Sequence, residues 1–136
     1  MLQTATIPMY NEVNTWVSWF PKRGEIYYCD LGDSIDSEQR GIRPVVIVSN
    51  NVGNQMGSIV VICPITSKKK PLQKIHILVS RESGLKMESY ILSEHIRSIS
   101  KRRFFYNNIP CRIGSLPNAK ILELKNAIQF ELGFAM

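Results

Sequence analysis

The 136-residue sequence is short of most features that place a protein quickly. No apolar run approaches the ~18 residues a membrane-spanning helix needs. The first basic residue is Lys22, so the N-terminus lacks the positive region of a secretory signal. Cysteine is sparse: Cys29, Cys63 and Cys111 stand far apart, with no C-x-x-C and no histidine at ligand spacing. That speaks against a disulfide framework and a zinc site, and it fits a reducing cytoplasm. Internal repeats and low-complexity tracts are also missing.

What remains is an ordinary globular composition, 44% apolar and 21% charged, in a length that suits one domain with a real core. A net charge of +6 and a pI near 9.4 favour an anionic partner. The charge is uneven. Lys68, Lys69 and Lys70 form one basic run, and Lys101, Arg102 and Arg103 another, whereas Asp30, Asp33, Asp36 and Glu38 gather in one short segment. Either run taken alone reads as a solvated loop or as a phosphate contact.

Residues Met9 to Phe20 place Val13, Trp16, Val17 and Phe20 on one helical face, and Pro21 stops that helix. From Arg23 the pattern turns to strands: Ile26–Leu31, Arg43–Ser49, Ser58–Thr66, Lys74–Ser80, Tyr90–Ser100 and a short piece within Asn108–Gly114. The Asn/Gly-rich NNVGNQMG between the second and third strands reads as a turn. Pro117 opens a C-terminal amphipathic helix whose face carries Ile121, Leu124, Ile128 and Leu132. The expected fold is mainly β, a small antiparallel sheet or partly open barrel with a helix at each end.

SEQRGIRPVVIVSN, residues Ser37 to Asn50, carries the strongest local signal. A charge, Arg43, stands directly before Pro44 at the mouth of a β-branched run. Proline biases the preceding residue to extended backbone, so the arginine leaves the sheet in a fixed direction. Folding Arg43–Ser49 and Ser58–Thr66 as a hairpin about Asn54 and Gln55 gives paired positions that sum to roughly 109. Arg43 and Thr66 then fall close to opposite one another. Pro64 limits regular pairing at that end. If sequence neighbours are also neighbours in space, Lys68–Lys70, Glu94, His95, Arg97 and Lys101–Arg103 converge on the same pole. An arginine fork beside a threonine hydroxyl and a basic rim suits an oxyanion or a phosphorane. The plainer alternative is a strand-end Arg43 paired with Glu38 or Glu94. His76 alternates with Ile75 and Ile77 and reads as structural or as part of a groove wall.

RGEIYYCDL, SEQRGIRPVVIVSN, VICPITS and SYILSEHIRSI, in that order and spacing, resemble the MazF/PemK family of toxins from bacterial type II toxin–antitoxin modules. The likeness spans about Lys22 to Phe134. It implies residues 1–21 as a helical extension and 22–136 as a single SH3-like antiparallel barrel of the MazF/PemK/CcdB type, acting as a homodimer in the cytoplasm. It further implies a sequence-preferring endoribonuclease that cuts single-stranded RNA without metal or other cofactor. Attack by the 2′-hydroxyl would leave a 2′,3′-cyclic phosphate and a 5′-hydroxyl. The family's catalytic arginine and threonine fall on Arg43 and Thr66. Ser37, Glu38 and Gln39 fall on a segment that contacts RNA in relatives, and Ser67, Lys68, Lys69, Glu94 and Arg97 join the RNA-binding set. Glu38 and His95 are the acid/base candidates. His95 stands where many relatives carry Gln, a position that can touch a base. The resemblance also implies a cognate antitoxin, with operator DNA reached only through it. A different class on the same barrel is a non-catalytic poison of a protein target such as DNA gyrase; it would have no need of the Arg43 and Thr66 blocks.

Overall fold

The computed structural model describes residues 19–33, 41–71, 74–107 and 109–134. The expected N-terminal helix (apart from Trp19 and Phe20) and the Ser37–Gln39 segment lie outside the described residues. The strands are β1 (Glu25–Asp30), β2 (Ile42–Ile47), β3 (Ile59–Thr66), β4 (His76–Val79), β5 (Ser89–Leu92), β6 (Arg97–Ser100), β7 (Phe105–Tyr106), β8 (Ile109–Pro110) and β9 (Arg112–Ser115). Among the described residues two α-helices accompany them, α1 (Asn51–Met56) and α2 (Asn118–Glu131). Seven strands form one antiparallel sheet in the order β4-β5-β3-β2-β1-β9, with β6 also on β3, while β7 and β8 pair separately.

β2 and β3 pair as Val45↔Pro64, Val46↔Cys63 and Ile47↔Ile62, the register that the hairpin count anticipates. Their connection is not the expected turn. Asn50 caps a short helix, its Oδ1 accepting from the Gly53 amide at 2.7 Å. Asn54 is fully buried; its amide donates to the carbonyls of Pro21 and Ser49 at 3.0 Å each, and its Oδ1 accepts from the Ser49 hydroxyl. Composition favours a turn here, but a cap and a fully satisfied buried amide decide for one helical turn and a half.

The expected strand Tyr90–Ser100 is also broken. β5 pairs with the end of β3 (Ile65↔Ile91, Thr66↔Tyr90), and β6 pairs with its beginning (Ile59↔Ser100 to Ile62↔Arg97). A 3-10 turn, Ser93–His95, separates the two. The exchange of partners falls at Cys63–Pro64, where proline has no N–H to continue a ladder.

Two cores lie on opposite faces of this curled sheet. One gathers Ile26, Val46, Cys63, Ile65, Ile77, Val79, Ile91, Leu116 and, from α2, Leu124 and Ala127. The other gathers Tyr27, Cys29, Leu31, Val45, Ile47, Val60, Ile62, Ile99, Phe104 and Phe105, with Trp19 packed edge-on against Phe105 at 5.1 Å between ring centroids. Ile121 and Ile128 join the α2 face as expected, but Leu132 is exposed, because the helix ends at Glu131 and Gly133 turns the chain at φ 81°. Closure comes from glycine. The turn after β4 lies against β9 so tightly that a Cβ on Gly114 would stand 2.0 Å from the Ser83 carbonyl oxygen. A Cβ on Gly84 (φ 97°) would stand 2.4 Å from that of Ile113. The two edges of the sheet meet there, backbone on backbone, and make a half-barrel.

Candidate active site

The site grows from the missing hydrogen bonds of two prolines. Pro44 lacks the N–H that β2 would turn towards β3, Pro64 lacks the one that β3 would turn towards β5 and β6, and the β2–β3 ladder stops at Val45↔Pro64. Beyond that point β2 continues on β1 alone, with Cys29 opposite Arg43 and Asp30 opposite Ile42. Residues opposite each other share a face, so Arg43 lies on the face of Cys29 and the second core, at its rim and half-buried. Thr66 alternates with Val60 and Ile62 onto that same face. Continuing the β2–β3 register sets Arg43 opposite Thr66.

Thr66 is 5% exposed, and its hydroxyl oxygen accepts from the Lys68 amide at 3.1 Å. That bond occupies a lone pair and leaves the hydroxyl proton to be donated. The chain then turns out into Ser67, Lys68 and Lys69, all exposed. Arg97, opposite Ile62, shares the face and donates to the Leu31 carbonyl at 3.4 Å. Arg103 reaches the next carbonyl back, that of Asp30, at 2.9 Å. Two guanidiniums thus brace the strand end from which residues 32–41 leave. Gly41 closes the base of that segment, its amide donating to the Gly32 carbonyl at 3.0 Å.

The second basic run does not gather at this pole as a cluster. Lys101 is 1% exposed and lies beside Ser58, at the opposite end of β3 from Thr66, roughly 26 Å away at strand rise. The sequence suggests a Tyr90–Ser100 strand that returns to this pole, but β5 starts here, with Tyr90 opposite Thr66, and the antiparallel chain runs away through β6 to the far end of β3. Lys101 Nζ donates to the Gln55 carbonyl at the end of α1 (3.4 Å), and desolvation holds its pKa below the usual lysine value. A lowered lysine pKa means that folding disfavours the charged form, so wild-type stability rises with pH towards the unfolded value of 10.5. Lys101→Met should therefore raise the unfolding free energy read from chemical denaturation at pH 7 by about 1 kcal/mol, with a higher midpoint. The advantage should shrink by pH 10. A lower midpoint at pH 7 would mean that the Gln55 bond outweighs the buried charge.

Glu94 and His95 fall in the 3-10 turn between β5 and β6. Glu94 Oε2 meets His76 Nε2 at 2.7 Å, and the carboxylate charge helps to raise the thiol pKa of Cys63, which belongs to the first core. His95 ends the turn half-buried. Burial, foremost, pushes the thiols of Cys29 and Cys63 up to about 12, so neither supplies a nucleophilic thiolate near neutral pH. Among the described residues no three His, Cys, Asp or Glu side chains group as metal ligands, and no helix is long and apolar enough to cross a membrane. The bracing role of Arg103 and the pairing of His76 escaped the sequence reading. A lone basic residue gives no sign of which distant carbonyl it will meet.

A curled antiparallel half-barrel with a C-terminal helix, carrying Arg43 and Thr66 on one face, defines the fold class of a small β-barrel. The family described as PemK-like, MazF-like toxin of type II toxin–antitoxin systems matches residues 22–132, and the chain belongs to it. It is 35% identical over 114 residues to Endoribonuclease MazF of Staphylococcus saprophyticus, covering 82% of this chain and 91% of that protein. It is 36% identical over 84 residues to Endoribonuclease EndoA of Bacillus subtilis, covering 60% and 72%. In fold it is similar to MazF from Deinococcus radiodurans, with a TM-score of 0.71 at 21% identity over 85% of this chain and 98% of that one. A mycobacterial endoribonuclease in complex with its cognate antitoxin gives 0.68 at 24% identity, again over 85% and 98%.

Proposed function

We propose that this chain, an endoribonuclease toxin by family, cuts single-stranded RNA without a metal ion, through the substrate's own 2′-hydroxyl. The 2′-oxygen attacks the adjacent phosphorus, the bond to the 5′-oxygen breaks, and the ends are a 2′,3′-cyclic phosphate and a 5′-hydroxyl. An internal nucleophile needs no metal-activated water. The chemistry calls for a base, stabilisation of the phosphorane charge and an acid for the leaving oxygen. Arg43 supplies the second, since its guanidinium spans two phosphate oxygens and stays charged throughout. Thr66 donates its hydroxyl proton to a non-bridging oxygen. Lys68, Lys69 and Arg97 hold flanking phosphates, with Ser67 beside them. Glu38 or His95 takes the 2′-proton, and Ser37 and Gln39 contact the strand. A cognate antitoxin is the protein partner, lying along the basic rim. The working unit is a homodimer, and operator DNA is reached through the antitoxin.

The observation that supports this reading is the β2–β3 register, Val45↔Pro64 to Ile47↔Ile62, whose continuation would bring Arg43 towards Thr66 on one face. Purified protein should cut a long natural transcript in excess EDTA. An intact transcript under those conditions, with the protein folded, would count decisively against it. His95→Gln should change which bases flank the cut sites; a rate within about threefold of wild type, under ~1 kcal/mol in the barrier, assigns the 2′-proton to Glu38, and a loss of about 10²-fold or more assigns it to His95. An unchanged cleavage pattern would remove His95 from base selection.

A further inference from the structure

We propose that His76 is a positioning residue for the lysine loop, fixing where Lys68 and Lys69 stand relative to Thr66. The proposal rests on the endoribonuclease reading for its consequence, though not for its geometry. The imidazole is held at both ends. Nδ1 lies 2.9 Å from the Pro71 carbonyl oxygen and Nε2 lies 2.7 Å from Glu94 Oε2. A carbonyl only accepts, so Nδ1 carries the hydrogen of that bond, and Nε2 is left to pair with the Glu94 carboxyl. The His76 side chain is 8% exposed, while Pro71 at one end of the bracket lies at the surface.

What the ring joins gives it a role. Thr66 is fixed by its pairing with Tyr90, and Pro71 is fixed by His76. Between these two anchors run only residues 67–70, with the Lys68 amide tied back to the Thr66 hydroxyl oxygen. A four-residue span pinned at both ends has little freedom, so its lysines are presented at a set distance from the threonine. The other end of the bracket is equally firm. Glu94 belongs to the 3-10 turn whose first residue, Ser93, donates its hydroxyl to the Ile75 carbonyl at 2.7 Å and its amide to the same oxygen at 3.1 Å. His76 thus ties the lysine loop to the turn that carries His95.

Two substitutions separate the arms. His76→Asn puts an amide N–H where Nδ1 was and loses the Glu94 bond. His76→Gln puts one where Nε2 was and loses the Pro71 bond. Amide hydrogen exchange of a peptide covering residues 67–70 should quicken about tenfold in H76Q, the factor one ordinary hydrogen bond supplies, and stay near wild type in H76N. With a long RNA substrate, H76Q should raise KM about tenfold with kcat within twofold. It should also flatten the slope of log(kcat/KM) against log[salt] by roughly 0.7, one single-strand phosphate contact. Should H76Q fail to fold, His76→Ala against H76N repeats the comparison, since both lack the Glu94 arm and only Asn keeps the Pro71 arm. Loop exchange that is the same in wild type and H76Q, or in H76A and H76N, would overturn the proposal. So would equal losses in kcat and kcat/KM that track folded fraction alone. Exchange is read without RNA, so failure of the endoribonuclease reading would leave the loop result standing.

Discussion

Arg43→Ala should lower RNA cleavage by about 10³-fold with the fold intact, the size expected for removing a preorganised charge from a phosphoryl transition state. The loss should appear mainly in kcat, because the guanidinium meets more charge in the phosphorane than in the ground-state diester. Lysine should not rescue it: a point charge cannot span two oxygens as the fork does. Thr66→Ala should cost about 10²-fold, the lower end for a lost oxyanion donor, and Thr66→Ser should recover most of that. Circular dichroism and a denaturation midpoint for each variant separate chemistry from folding. Wild-type rates in either alanine variant would remove that residue from the catalytic assignment.

Gly114→Ala should be the most damaging small change in the barrel. The added methyl would stand 2.0 Å from the Ser83 carbonyl oxygen, and both contacting groups are backbone, so β9 and the turn after β4 must separate. Overpacking of this kind costs roughly 1–3 kcal/mol, a fall in Tm of about 4–12 °C for a chain of this size. Gly57→Ala is the control, because its backbone (φ −103°) suits alanine and the nearest atom, the Gly53 carbonyl oxygen, would be 3.4 Å away. Calorimetry on the two variants tests this directly. An unchanged Tm in Gly114→Ala would show that the sheet edges are not held together by that contact.

Much of the architecture follows from local signals. β-branched runs between turn residues mark β1, β2 and β3, and the register of β2 on β3 follows from counting about the Asn54–Gln55 centre. What the count could not reveal was how the turn would be built. Asn54 makes it helical through bonds to Pro21 and Ser49, one of them 33 positions away. The break in Tyr90–Ser100 was equally hidden. Ser93 and Glu94 look like ordinary strand residues until Pro64, on the neighbouring strand, withdraws its donor and the partner changes. Lys101 shows the limit for the site. Three adjacent basic residues look like a phosphate cluster, yet one is buried beneath α1 and another is spent on the Asp30 carbonyl. Arg43 was legible for the opposite reason, since a proline, a core strand and a single hairpin sufficed to place it.

The proposed role of Arg43 is to stabilise the phosphorane formed by a 2′-hydroxyl attack. The most direct measurement is primer extension across a long RNA incubated with wild type and with Arg43→Ala, with the new 5′ ends tested for direct phosphorylation by a kinase. Discrete cuts by wild type whose 5′ ends accept phosphate at once, and no cuts by Arg43→Ala above background, are the predicted result. Ends that already carry a 5′-phosphate, or the same cuts at the same rate from Arg43→Ala, would contradict it.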